Sequence, residues 1–170
     1  VRETENLEVT DVEVVIPNLP PAFNNYKIIQ LSDIHTSFVV RKEYLQKIMS
    51  KINELDYDMI TFTGDFVSTT LKYLRDFTNA FKLVKNSDNA YAVLGNHDFW
   101  TYEKGVDRAL RSVNIRPLRN ENKKIYIDNS FINIIGVDDI WVGKDDISKA
   151  MSGCKVTDIN ILLCHNPDFI

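Results

Sequence analysis

Short apolar runs rich in β-branched residues alternate with stretches of helical periodicity along most of this chain. That alternation restricts it to an α/β architecture with a largely parallel sheet. The runs KIIQLSD (27–33), DMITFTGD (58–65), AYAVLGN (90–96) and a last one over 160–165 read as buried strands. Between the first two, Tyr44, Leu45, Ile48, Met49, Ile52 and Leu55 recur at helical spacing. Leu71, Leu74, Phe77, Phe81 and Val84 mark a second helix, and Val106, Leu110 and Val113 a shorter one around 103–113. KKIYID and FINIIGVDD are expected to pair antiparallel across a turn at Asp128–Ser130, with Asn129 suited to positive φ. A final helix is expected near 145–151. The opening NLEVTDVEVVIPNLPP alternates and ends in prolines, so residues 1–25 are expected to form an N-terminal edge strand and lead-in to a domain over 26–170.

With 170 residues the chain suits one domain with a substantial core. Its net charge of −4 provides no global field to draw it to nucleic acid. Arg108, Arg111, Arg116, Arg119, Lys123 and Lys124 form a mild basic cluster that reads as a solvated helix face and turn. Cys154 and Cys164 form neither a disulfide framework nor a metal-type pair, and are expected to be reduced structural thiols, with Cys164 buried in a strand. No stretch of about 18 apolar residues occurs, so no segment here is expected to span a membrane; that does not fix the location, for which peripheral-membrane and cytoplasmic both stand as expectations. The chain starts at Val1 rather than Met, which is compatible with an upstream signal or anchor having been removed.

The polar residues fall at particular places on this map. The first strand runs into Asp33 and His35, the second into Asp65, the third into Asn96, His97 and Asp98, and the last into His165. All three histidines therefore sit at strand C-termini, the ends that converge on one crevice in an open α/β sheet. Carboxylate, imidazole and amide oxygen together suit a borderline divalent ion such as Mn, Fe, Co, Ni or Zn. Asp33 and His35, two apart on an extended strand end, can grip one ion from the same side. Asp65 has two oxygens with which to bridge a pair, and Gly64 before it permits close backbone approach. Two such ions with a water between them are suited to phosphoester hydrolysis. Each fragment alone is weak evidence. The ordered set D-x-H, GD, GNHD and H, each after a strand, is strong.

In these motifs the sequence resembles the calcineurin-like metallophosphoesterase superfamily, from about residue 26 to the end of the chain. The resemblance implies a four-layer fold, a two-sheet β-sandwich flanked by helices, and a centre of two divalent ions. It implies that Asp33 and His35 bind the first ion, that Asp65 bridges both, and that Asn96 and His165 bind the second. His97 would be the catalytic histidine beside the phosphoryl group, and Asp98 would orient its neighbours. The implied reaction is hydrolysis of a phosphomonoester, phosphodiester or pyrophosphate bond by a metal-activated hydroxide.

GDFVSTT lacks the GD-x-x-D-R-G continuation of the protein serine/threonine phosphatases, with Ser68 where the second aspartate would stand. No GH-x-H follows His165, so the chain is expected to stop partway through the domain, leaving a ligand gap on each ion. QLSDIH, GNHDFW, GVDD and CHNPD are similar to the bacterial YkuE/YaeI-like phosphodiesterases, a group similar to the UDP-2,3-diacylglucosamine hydrolases. A lipid-linked or nucleotide substrate and peripheral membrane contact follow as expectations, while nothing points to a protein partner. Phe99 and Trp100 would either line an acyl or base pocket or pack as core under the site loop. Asp138 and Asp139 would either support the site from behind or make a strand-end turn. The alternatives are a degenerate, non-catalytic metal-binding module and a nuclease of the same superfamily. The acidic balance and the lack of a continuous basic groove weigh against nucleic acid.

Overall fold

Strand β2 (Met59–Thr63) is buried along its whole length, and its two faces serve two different cores. The computed structural model describes residues 7–169 apart from 39, 41 and 86. In it β2 lies between β1 (Ile28–Leu31) and β3 (Ala90–Val93), with the short β4 (Arg116–Pro117) beyond β3, all parallel. Because side chains alternate along a strand, Ile60, Phe62, Ala90 and Ala92 face one way. They meet α1 (Lys42–Ile52), α2 (Leu74–Phe81) and α3 (Asn96–Arg111) through Leu45, Met49, Phe77, Phe81, Val106 and Leu110. Phe62 makes edge contacts with Phe77 and Phe81, each at 5.6 Å between ring centres.

Met59, Tyr91 and Val93 face the opposite way, into a second core with Phe23, Leu118, Ile125, Ile132, Ile134 and Leu163. The last four come from the second sheet, Phe23 from the 3-10 turn Pro21–Phe23 and Leu118 from the segment after β4. This sheet has the order β5-β6-β7, with β5 (Glu121–Ile127) and β6 (Ser130–Gly136) antiparallel and β7 (Asn160–Leu163) parallel to β6. Ile135 and Val137 point away from the sandwich and pack with Ala150 of the short helix α4 (Ile147–Ala150). The four-layer α/β sandwich expected from the motifs is the observed fold.

Several local expectations are corrected. Residues 7–16 contain no strand: Val12, Val14 and Val15 are 77%, 70% and 85% exposed, and alternation without a partner backbone does not make a sheet. Residues 1–6 of that expectation lie outside the described residues. In the β5–β6 turn Asp128 (φ 51°), not Asn129, takes the left-handed conformation. The helix expected around 103–113 begins seven residues earlier, at Asn96, and is interrupted at Tyr102 (φ 177°, ψ 90°). The apolar periodicity starts only after that break, which is why the first turn was silent in the pattern. Cys164 is half-buried just beyond β7 rather than inside it, and both thiols are free. The two-residue β4 was hidden by its proline.

The two sheets approach closely at Gly136, where a Cβ would collide with Leu118 Cβ and lie 3.0 Å from Val93 Cγ1. Gly136→Ala should therefore overpack the inter-sheet core and lower the unfolding free energy by about 1–3 kcal/mol. Denaturant titration followed by tryptophan fluorescence measures this, and an unchanged midpoint would contradict the packing described.

Candidate metal centre

Strands β1, β2 and β3 run parallel, so the segments after them emerge along one edge. Backbone hydrogen bonds join them: Asp33 N–H donates to Gly64 O (3.1 Å), His35 N–H to Asp65 O (2.8 Å) and Thr36 N–H to Phe66 O (2.9 Å). This path holds Asp33, His35 and Asp65 at φ of 53°, 46° and 55°. The left-handed region costs a non-glycine residue about 1–3 kcal/mol when imposed by its surroundings. Gly64, at φ 98°, and Gly95 face each other, and a Cβ on Gly64 would lie 2.5 Å from Gly95 N.

The outcome is a convergence of donors. One side-chain atom each from Asp33, His35 and Asp65 lie within 4.8 Å of one another. His35 Nε2 is 3.3 Å from Asp65 Oδ2 and 3.7 Å from Asp33 Oδ1. On another side of Asp65, His165 Nε2 comes within 3.5 Å of the same Oδ2. Asp65 Oδ1 is occupied, accepting the backbone N–H of His97 at 3.0 Å. Asn96 is buried at the start of α3.

Two of the imidazoles are oriented by carbonyl groups, while His35 Nδ1 lies 3.4 Å from the Ser68 hydroxyl. His165 Nδ1 lies 2.7 Å from Thr63 O and His97 Nδ1 2.8 Å from Ser68 O. A carbonyl can only accept, so each Nδ1 carries the proton and each Nε2 is left to the site. That arrangement, with carboxylates beside it, is the one a divalent cation requires of its ligands. The donor chemistry fits the borderline ions expected from the sequence.

Asp98 reaches no donor cluster. It is fully buried and receives Gly95 N–H at 3.0 Å and Val67 N–H at 3.2 Å, tying the loops after β2 and β3 together. Burial pushes its carboxyl up to about 7, against the pull of those two hydrogen bonds. Phe99 packs on the helical core and lies under the Arg119 guanidinium, 4.9 Å from ring centre to Arg119 Cζ. Trp100 instead is 64% exposed, with its ring 5.2 Å from that of His97. Asp138 is bound by Arg119 Nε at 2.6 Å, and Asp139 Oδ1 accepts Trp141 N–H at 2.9 Å. Ser68 and Thr63, which serve through their carbonyls, and Arg119 left no readable trace as site residues in the sequence.

His165 and Asp65 shift each other's ionisation. The hydrogen bond to Asp65 raises His165 from 6.5 to about 9, despite burial. Burial opposes the charge on Asp65, but the hydrogen bond and charge of His165 leave its carboxyl below the ordinary value. The folded His165 value is raised, so its stabilisation is complete below about 6.5 and disappears as pH climbs through about 9. Asp98 acts in a lower window, its raised value removing stability as pH rises from about 4 to about 7. In chelator, the thermal midpoint should thus fall between pH 7 and 9.5, and His165→Gln should flatten that fall. An equal pH dependence in the variant would contradict the His165–Asp65 coupling.

Comparison with known proteins shows the family. Residues 26–169 match the calcineurin-like phosphoesterase family. The zebrafish protein named "Transmembrane protein with metallophosphoesterase domain" is 32% identical over 94% of this chain and 39% of its own length. Bacillus subtilis YkuE, an uncharacterized metallophosphoesterase, is 28% identical over 98% of this chain and 59% of its own. The UDP-2,3-diacylglucosamine pyrophosphatase LpxG of Chlamydia trachomatis is 27% identical over 90% and 61%. The chain thus spans about two fifths to three fifths of the length of these relatives. Among solved structures, the Haemophilus influenzae NAD nucleotidase NadN superposes over 85% of this chain and 35% of its own, with TM-score 0.55 at 19% identity, a likeness of fold. With its sandwich, its strand-end donors and a family match over residues 26–169, the chain belongs to the calcineurin-like phosphoesterase family.

Proposed function

We propose that the site is the centre of a metal-dependent hydrolase that cleaves a phosphodiester or pyrophosphate bond. The observation that carries this reading is the convergence of Asp33, His35 and Asp65, with His165 reaching the same Asp65 oxygen from another side. Asp33, His35 and Asp65 would hold one cation, and Asp65, Asn96 and His165 a second, with Mn, Zn or Fe compatible with the donors. When bound, the cations supply Lewis acidity to the phosphoryl group and to the attacking water.

The remaining work belongs to the chain's own side chains. His97 Nδ1–H is anchored on Ser68 O, which leaves Nε2 to hold a proton at the leaving oxygen. Its backbone N–H grips Asp65 Oδ1, so the catalytic ring and the shared carboxylate move as one unit. Trp100, exposed and next to the His97 ring, offers an apolar surface to the group that departs. A lipid-linked or nucleotide diphosphate has such a group on one side of the scissile bond. LpxG, a pyrophosphatase of UDP-2,3-diacylglucosamine by name, supports that substrate class. The net charge of −4 favours it over nucleic acid.

The test pairs binding with turnover. Calorimetric titration with manganese should show uptake that Asp65→Ala abolishes, because that carboxylate serves both positions. In a form of the protein that carries a GH-x-H motif, manganese-dependent hydrolysis of bis-p-nitrophenyl phosphate should drop about 10²–10⁴-fold in His97→Ala, the scale of a lost general acid, with metal uptake retained. Parallel loss of metal and activity would make His97 a ligand instead, and hydrolysis indifferent to manganese would refute the reading.

A further inference from the structure

The three imidazoles of the site are held in two different ways. His97 Nδ1 and His165 Nδ1 lie against carbonyls, at 2.8 Å from Ser68 O and 2.7 Å from Thr63 O, which fixes the proton on Nδ1 in both. His35 Nδ1 has the Ser68 hydroxyl instead, at 3.4 Å, and the same hydroxyl lies 3.3 Å from His35 O. A hydroxyl is not confined to one role: it accepts through its lone pairs and donates its one proton wherever an acceptor stands. Ser68 Oγ has such an acceptor with either tautomer of the ring. When Nδ1 is bare, the hydroxyl donates to it. When Nδ1 carries a proton, the hydroxyl accepts that N–H and turns its own proton to His35 O.

The other nitrogen of the ring gives both roles a use. His35 Nε2 stands 3.3 Å from Asp65 Oδ2 and 3.7 Å from Asp33 Oδ1. With nothing among them, a proton on Nε2 suits the two carboxylates. A dication among the three needs a lone pair there, and the neutral ring must then carry its proton on Nδ1. A carbonyl opposite Nδ1 would disfavour the first state, and a group that only donates would disfavour the second. The backbone around Ser68 is fixed without the hydroxyl. Val67 bridges to Thr36, whose N–H and Oγ–H both donate to Phe66 O, at 2.9 and 2.7 Å. Val67 N–H in turn donates to Asp98 Oδ1. The Ser68 hydroxyl is therefore not needed to shape its own loop.

We propose that Ser68 is a positioning residue for His35: its hydroxyl holds the ring by Nδ1 and leaves Nε2 as a lone-pair donor to a divalent cation beside Asp33 and Asp65. This rests on the metal-centre reading above and adds to it the side chain that decides which nitrogen of His35 binds. Through its carbonyl the same residue holds His97, whose ring meets that of His35 edge-on at 4.9 Å between centres. One residue thus sets the spacing of the two imidazoles.

Zinc titration of the 170-residue chain, followed by calorimetry and by NMR of the imidazole nitrogens, tests it. In the zinc-loaded parent, His35 should carry its proton on Nδ1 and bind through Nε2. Ser68→Ala should keep the parent's metal-free thermal midpoint, since the backbone bonds remain, but take up zinc about 10–100-fold more weakly. Its His35 Nδ1–H signal should be lost to solvent exchange, while that of His97, on Ser68 O, persists. Ser68→Thr retains the hydroxyl and should restore both uptake and signal. Zinc on His35 Nδ1 in the parent overturns the inference with no variant needed. Parent-like uptake in Ser68→Ala with the His35 signal intact overturns it and leaves the metal centre standing, as does a threonine variant no better than the alanine one. Loss of the His97 signal along with that of His35 would mean that the loop had failed rather than the hydroxyl, and overturns it too. A parent chain that binds no zinc overturns the inference and the metal-centre reading together.

Discussion

Everything at the sheet edge depends on how closely two backbone segments pass. Gly95 runs so near Asp65 that a Cβ there would collide with the carboxylate, and Gly64 is equally confined against Gly95. This contact lets the His97 backbone N–H reach Asp65 Oδ1 and directs Oδ2 toward both His35 and His165. Asp98 locks the approach by accepting a backbone N–H from each segment. With two buried N–H groups on one carboxylate, neither loop can drift without leaving polar groups unpaired. The geometry of the donors is thus a consequence of backbone packing, decided before any side-chain rotamer is chosen.

The sandwich is tied to the same edge. β2 and β3 send Phe62 and Ala92 to the helices and Met59 and Val93 to the second sheet, so rotating either strand would disturb both cores. That second sheet carries β7, whose end delivers His165 through its bond to Thr63 O at the end of β2. The long-range contact between residues 63 and 165 joins the two sheets at the place where chemistry is expected. Packing and the geometry of the candidate site are therefore coupled through a few carbonyl groups, Thr63 and Ser68 among them.

The main elements, and the meeting of Asp33, His35 and Asp65 with His165 beside Asp65, were legible in the sequence. Strand patterning with an ordered series of polar endings is a strong signal when parallel strands must finish on one side. What escaped has physical reasons. The first turn of α3 carries the polar residues Asn96, His97 and Asp98 rather than an apolar stripe, so periodicity could not report it. Ser68 and Thr63 act through backbone carbonyls, which have no side-chain signature. The role of Phe99 and Trp100 depended on which way α3 turned, and the structure divides them, one to the core and one to the rim. The failed edge strand at 7–16 shows that alternation announces compatibility with a sheet but not the presence of a partner.

The interruption of α3 at Tyr102 separates two sets of obligations within one helix. Residues before it answer to the strand ends, apart from Phe99, which joins Val106 and Leu110 from beyond the break in the helical core. An unbroken helix would transmit every adjustment of the core, as a rotation, to the ring of His97. With an extended residue acting as an elbow at Tyr102, the core-facing segment can change its apolar packing without turning the ring of His97.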